Sequence, residues 1–252
     1  MNALPATRPA SALDGVFVTG TDTEIGKTAI SAALVGLLAR TGLRVAGLKP
    51  IAAGTALIDG ERINEDVHAL RAASSVTLDV PEICPCQLDA ACAPHIAARL
   101  EGRAIDRDAV LAAVHAAAAR CDRLIVEGVG GFNVPFDDDG RWSSADLAVD
   151  LGLPVILVVG LRLGCINHAL LTAEAVRARG LRLCGWVANV VDPQMPHLDG
   201  NLDALARGLG SAPCLGLVPR LPVASPTAIA PYLNVPAIHA LFRSNSLSTE
   251  TA

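Results

Sequence analysis

The chain has 252 residues, of which 52% are hydrophobic, 18% charged and only 3% aromatic, and its formal net charge is −5. That supplies a substantial core and excludes a disordered chain, which would be less hydrophobic and more charged. The absence of a Lys/Arg run and the scarcity of aromatic rings argue against nucleic-acid binding, which needs a basic face or a stacking platform.

Mean hydropathy is high, at +0.44, but the longest apolar run, residues 151–161, is 11 residues long and stops at Arg162. A spanning helix needs roughly 20, so no membrane partner is expected. Residues 1–14 lack the basic start and apolar stretch of a signal peptide and read as a flexible leader. Residues 15–242 read as a single domain, and 243–252, rich in Ser and Thr, as a flexible tail. The seven cysteines, at 84, 86, 92, 121, 165, 184 and 214, are odd in number and form no C-x-x-C pair. They read as reduced thiols of a cytoplasmic protein.

Residues 15–19 (GVFVT) form a short buried strand, and a Gly-containing loop leads into an Ala/Leu-rich helix over 27–40. Thr41 and Gly42 end that helix. Residues 44–48 are the second strand, 65–73 and 94–100 short helices, and 106–120 a helix opened by Asp106. Strands follow at 123–126, 154–159, 183–189 and 214–218, with helices at 166–179 and 198–208 between them. The 154–159 strand is apolar throughout, as a strand covered on both faces must be. Strands alternating with helices predict an α/β fold, doubly wound around a mainly parallel sheet. Such sheets bind ligands past the carboxyl ends of their strands. Function is therefore expected just after Thr19, Leu48, Val126, Val159, Asn189 and Val218.

The first of these ends carries GTDTEIGKT (20–28). Gly-Lys-Thr opening a helix aims backbone N–H groups at phosphate oxygens, with Lys27 reaching the terminal phosphates and the Thr28 hydroxyl placed for Mg²⁺. Five residues separate the glycines, one more than in the usual phosphate loop. The glycine spacing does not suit a dinucleotide fingerprint. Lys49 follows the second strand, where a cation could neutralise charge on a transferring phosphoryl group, although a strand-end lysine by itself more often faces solvent. Glu127 ends the third, where a carboxylate can share a metal ion with Thr28. Asp66 lies at the start of a helix, and by itself reads as a charge favoured by the helix dipole.

Taken together, FVTGTDTEIGKT (17–28), GLKPIAAG (47–54), NEDVHAL (64–70), APHIAARLEGR (93–103), VEGVGGFNVP (126–135), LPVILVVGLRLGCINHALLTAE (153–174) and GWVANV (185–190) resemble the dethiobiotin synthetase family of the P-loop NTPase fold. The resemblance spans roughly residues 15–222. It implies an ATP-dependent ligase of biotin synthesis that closes a ureido ring from 7,8-diaminopelargonic acid and CO₂, by way of a carbamate and a carbamic–phosphoric anhydride.

The resemblance also implies roles. Thr28, Asp66 and Glu127 hold Mg²⁺, while Lys27 and Lys49 are catalytic, steadying carbamate and phosphate oxygens. Thr23, Glu24, Ile25, Gly26 and Ala29 complete the ATP loop, with Gly128, Val129 and Gly130 on its far side. Asn189 and Val190 meet the adenine, in a pocket lined by Pro219, Arg220 and Leu221. Ala53, Gly130 and Gly131 line the diamine site. The helix start at Gly164, Cys165, Ile166 and Asn167 binds the substrate's distal carboxylate from a second subunit, so a homodimer is implied. Two positions depart from the family pattern: Ala53 replaces a common hydroxyl residue, with Thr55 nearby, and residues 220–228 hold no Asp or Glu for the ribose. A switch ATPase of the ParA/MinD type and a cobyrinic-acid-type amide ligase are the rival readings. The first usually carries an extra early lysine in the loop, where this chain has Thr21, Asp22 and Thr23; the second needs a glutaminase domain.

Overall fold

Strand β1 (Gly15–Gly20) is buried along its whole length at the middle of the sheet. In the computed structural model, which describes residues 13–247 and side chains through 242, it feeds helix α1 (Lys27–Ala39) and then β2 (Val45–Leu48). An insert follows: β3 (Ile51–Ala53), β4 (Ala56–Ile58), β5 (Glu61–Ile63), α2 (Glu65–Ala73), α3 (Val80–Ile83), β6 (Cys86–Leu88) and α4 (Pro94–Leu100). The winding resumes with α5 (Arg107–Ala118), β7 (Arg123–Glu127), α6 (Ser144–Leu151), β8 (Val155–Leu161), α7 (Cys165–Ala178), β9 (Leu183–Val190), α8 (Leu198–Gly208), β10 (Cys214–Val218), α9 (Pro226–Ile229) and α10 (Val235–Leu247).

The main sheet is parallel and six-stranded, in the order β10-β9-β8-β1-β7-β2. The chain builds one side first and then crosses to β8, so β1 stands at the switch point where such folds open a ligand crevice. Alternation along β8 explains its apolar run. Val155, Leu157, Val159 and Leu161 enter the core under α5, α6 and α7, while Ile156 and Val158 enter the core under α1 and α10. Each buried Val or Ile contributes about 1.5–3 kcal/mol of transfer free energy. The doubly wound α/β expectation holds.

Smaller pieces escaped the sequence reading. β3 pairs with β6, and β4 with β5, in strands of three residues too short to show a period. Helix α6 runs straight into the apolar stretch that follows it, although Ser143 caps it by accepting from Asp146 N. Of the expected leader, residues 1–12 lie outside the described residues, while Asp14 pairs with Arg123 at 2.6 Å. The expected tail begins inside α10, and its residues after Leu247 lie outside the described residues.

Candidate active site

Sheet register assembles the site. Leu48 stands opposite Val126 in the β2–β7 pairing, so the next residues, Lys49 and Glu127, meet side by side at the strand ends. Lys49 Nζ donates to Glu127 Oε1 at 2.9 Å and also pairs with Asp66. From across β1, the Thr28 hydroxyl donates to the same Glu127 Oε1 at 2.8 Å. Thr28, Lys49, Asp66 and Glu127, distant in sequence, thus form one cluster.

The phosphate loop closes on itself. Gly26 takes φ +88°, a left-handed conformation that favours glycine, and a Cβ there would lie 2.4 Å from Asn189 Nδ2. Asn189 Nδ2 donates to the Ile25 carbonyl at 2.7 Å, binding the end of β9 to the loop. Lys27 Nζ donates to the Asp22 carbonyl at 2.7 Å and spans the loop from inside. Glu24 is exposed and takes φ +58°.

Charge is distributed unevenly among the two lysines. Burial pushes the Lys27 ammonium down to about 8, against the pull of Glu127. Burial opposes the Lys49 charge as well, but the carboxylates of Glu127 and Asp66 overcome it and hold that ammonium above its ordinary range. Asp66 is also partly desolvated, which favours its neutral acid; Lys49 reverses this and lowers it below the usual carboxylate range.

Asp66 is placed by a residue the sequence reading did not single out. Asn64 caps α2, its Oδ1 accepting from Asp66 N at 3.0 Å and Val67 N at 3.3 Å. Its Nδ2 donates to the Gly54 carbonyl at 2.6 Å, tying the cap to the β3 end. An Asn before an acidic pair is an N-cap signal, but its second partner is invisible without the fold.

These groups open into a cleft of about 920 Å³. Thr23, Glu24, Gly26, Lys27, Thr28 and Ala29 line it, with Lys49, Ala53 and Asp66. Val129, Gly130, Gly131 and Val134 line it as well. Ile25, Glu127 and Gly128 are buried next to it. Ala91, Cys92, Ala93 and Pro94 also line the cleft, and sequence reasoning assigned them no part in a binding site. Ala53 offers only a methyl group, and Thr55 Oγ1 is engaged with Asp89 Oδ1 at 2.5 Å.

Asn189 and Val190 end β9, and Pro219, Arg220 and Leu221 follow β10. None of these is among the lining residues. The same holds for Gly164, Cys165, Ile166 and Asn167, which open α7 at the end of β8.

The donor set suits a hard divalent cation. It offers a hydroxyl and two carboxylates, all oxygen. Glu127 Oε2 is buried with no hydrogen-bond partner, and an unpaired buried carboxylate oxygen is costly unless something binds it. The Thr28, Asp66 and Glu127 oxygens therefore fit Mg²⁺.

A glycine-containing turn between a central parallel strand and a Lys-Thr helix start, faced by one carboxylate from a neighbouring strand end and another from a helix start, defines a P-loop protein. A family described as an AAA domain matches residues 14–228. The ATP-dependent dethiobiotin synthetase BioD of Ralstonia nicotianae is 55% identical over 223 residues, covering 86% of this chain and 96% of that protein. Its counterpart in Aromatoleum aromaticum is 52% identical, covering 87% of this chain and 96% of that protein. The chain belongs to the ATP-dependent dethiobiotin synthetase family, a family of ligases.

Among solved structures, the MinD cell division protein of Aquifex aeolicus covers 95% of this chain and 98% of its own, with a TM-score of 0.51 and 15% identity. The MinD of Pyrococcus horikoshii, complexed with Mg-ADP, gives 0.51 and 14%, covering 94% of this chain and 98% of its own. At such identities the likeness is one of fold alone.

Proposed function

We propose that this protein makes dethiobiotin from 7,8-diaminopelargonic acid, CO₂ and ATP. The observation that carries the reading is the convergence of the Lys27–Thr28 loop and the Lys49–Asp66–Glu127 cluster on one cleft, large enough for a nucleotide beside a second small substrate. One amine attacks CO₂, loses a proton and becomes a carbamate. A carbamate oxygen then attacks the γ-phosphorus, breaking its bond to the bridging oxygen and releasing ADP. The second amine attacks the carbonyl carbon of the mixed anhydride, phosphate leaves, and the ureido ring closes with loss of a proton.

This chemistry needs positioning and charge stabilisation from the protein, and no covalent enzyme intermediate. Lys27 and Lys49 are the charges available. Lys49, fixed between two carboxylates, sits ready for a developing oxyanion at no cost in reorganisation. Thr28, Asp66 and Glu127 are the residues that hold Mg²⁺, which when bound offsets phosphate charge. The bare backbone of Gly130 and Gly131 lets the diamine approach closely. Asn189, oriented by the Ile25 carbonyl, leaves its Oδ1 for the adenine amino group, with Val190, Pro219, Arg220 and Leu221 around the base.

We infer a homodimer as well. The Gly164–Asn167 helix start stands outside its own cleft, and its neighbour Leu163 is 89% exposed. A second copy would cover that leucine and bring the helix N-terminus to the substrate carboxylate. A cytoplasmic setting, where ATP is supplied and thiols stay reduced, suits seven free cysteines.

The test is a coupled assay with purified diamine, bicarbonate and MgATP. ADP release is expected to require both the diamine and bicarbonate. Equal ATP turnover without the diamine would sink the ligase and favour a switch ATPase.

A further inference from the structure

Asp22 puts a carboxylate into a loop whose partner is a polyanion. It lines the cleft, and its side chain is 43% exposed. Three contacts fix it. Its backbone carbonyl accepts from Lys27 Nζ at 2.7 Å, its Oδ1 accepts from Thr23 N at 2.8 Å, and its Oδ2 pairs with the Arg162 guanidinium. Arg162 is the first residue after β8, and β8 is also joined to the loop at two other points. Thr21 N donates to the Val158 carbonyl at 3.0 Å, and Gly160 N donates to Thr21 Oγ1 at 3.3 Å.

We propose that Arg162 is a positioning residue for the phosphate loop: it neutralises Asp22 and holds that carboxylate toward the β8 end, away from the phosphate seat. The inference rests on the reading of the cleft as an ATP site. All seven residues of β8 are buried, so the strand is the fixed frame and the loop is what Arg162 places. An exposed ion pair adds little to folding. Beside a triphosphate the same pair matters more, because an uncompensated carboxylate opposes every phosphate oxygen at close range. The guanidinium also suits the task chemically, since it presents a planar fork of donors.

Four proteins decide it: the parent, Arg162→Ala, Arg162→Lys and the double variant Arg162→Ala/Asp22→Asn. The readouts are direct ATP binding and the separate KM for ATP and kcat. Arg162→Ala is expected to raise Kd and KM for ATP roughly tenfold while kcat at saturation falls less than about threefold. Arg162→Lys, which keeps the charge, recovers most of the affinity. The double variant keeps an acceptor for Thr23 N but removes the charge, and is expected to return Kd to within about threefold of the parent. Unchanged affinity in Arg162→Ala overturns the proposal. So does a double variant as weak as the single, since Arg162 would then be acting on the nucleotide itself. A parent that binds no ATP overturns the reading beneath the proposal, and that outcome is visible before any variant is made.

Discussion

Lys49 Nζ lies 2.9 Å from Glu127 Oε1, and the two side chains are 5% and 0% exposed. On the proposed reading, a buried cation and a buried carboxylate at the ends of adjoining strands serve charge stabilisation and folding at once. Lys49→Ala is expected to cut turnover by about 100-fold or more. The same change strands the Glu127 charge, which costs about 3–5 kcal/mol of stability. Lys49→Met/Glu127→Gln separates the two effects: urea unfolding recovers and turnover does not. A normal rate in Lys49→Ala would remove this lysine from the catalytic set.

Thr28 and Lys49 both donate to Glu127 Oε1, while Oε2 has no partner. If that oxygen waits for a cation, Glu127→Gln weakens Mg²⁺ binding by about tenfold or more, since even groups behind the ligands shift metal affinity by that much. Titration of Mg²⁺ at fixed ATP measures it. An unchanged midpoint would assign the carboxylate to Lys49 alone.

The strand-end rule made Glu127 legible in the sequence, because it closes an apolar strand, whereas Lys49, which by itself reads more readily as a solvent-facing lysine, was legible only through the family resemblance. The phosphate loop was legible by the strand-end rule too. Asn64 and Arg162 were not, because each meets a partner brought near only by folding. Asn64 needs the Gly54 carbonyl and Arg162 needs Asp22 from 140 residues away, while Cys92 comes to line the cleft only in the folded chain. In the 51–100 insert the helices at 65–73 and 94–100 were legible, but its strands were not, because they are three residues long and lean on pairing with one another. Helix α10 was missed although Asn234 offers a cap, with Oδ1 accepting from Ala237 N at 3.1 Å.

Asn64 tests how the cap serves the site. Asn64→Ala removes the acceptor for two α2 amides and the donor to Gly54. A lost N-cap costs about 0.5–2 kcal/mol. Because the freed turn carries Asp66, Mg²⁺ affinity is expected to fall along with the melting temperature. Asn64→Asp keeps the cap acceptor but loses the donor, so it should recover stability more fully than metal affinity. Equal recovery of both would limit Asn64 to a structural role.

At Gly26, strain and contact act together. An alanine there must hold φ +88° and push its Cβ within 2.4 Å of Asn189 Nδ2. The left-handed conformation alone costs about 1–2 kcal/mol. Gly26→Ala is expected to lose ATP binding and stability together. Adding Asn189→Ala relieves the contact but not the strain, so part of the stability returns, while the loop stays unanchored and ATP binding does not. Full recovery of binding in the double variant would show that Asn189 neither holds the loop nor meets the base.

Cys92 can report on the cleft without any change to the sequence. It is exposed and lines the site, whereas Cys84 and Cys184 are buried. Burial pushes the Cys84 thiol up to about 12, and does the same for Cys184. At pH 8 only about one in ten thousand of either is thiolate, and the thiolate is the nucleophile. Iodoacetamide should therefore modify Cys92 and leave Cys84 and Cys184 intact, with peptide mass mapping as the readout. Cys214 is exposed outside the cleft, though partial burial raises its thiol too, so it should react more slowly. If nucleotide and diamine fill the space that Cys92 borders, their addition slows modification of Cys92 and leaves Cys214 unaffected. Protection of both thiols, or of neither, would mean that the substrates bind elsewhere.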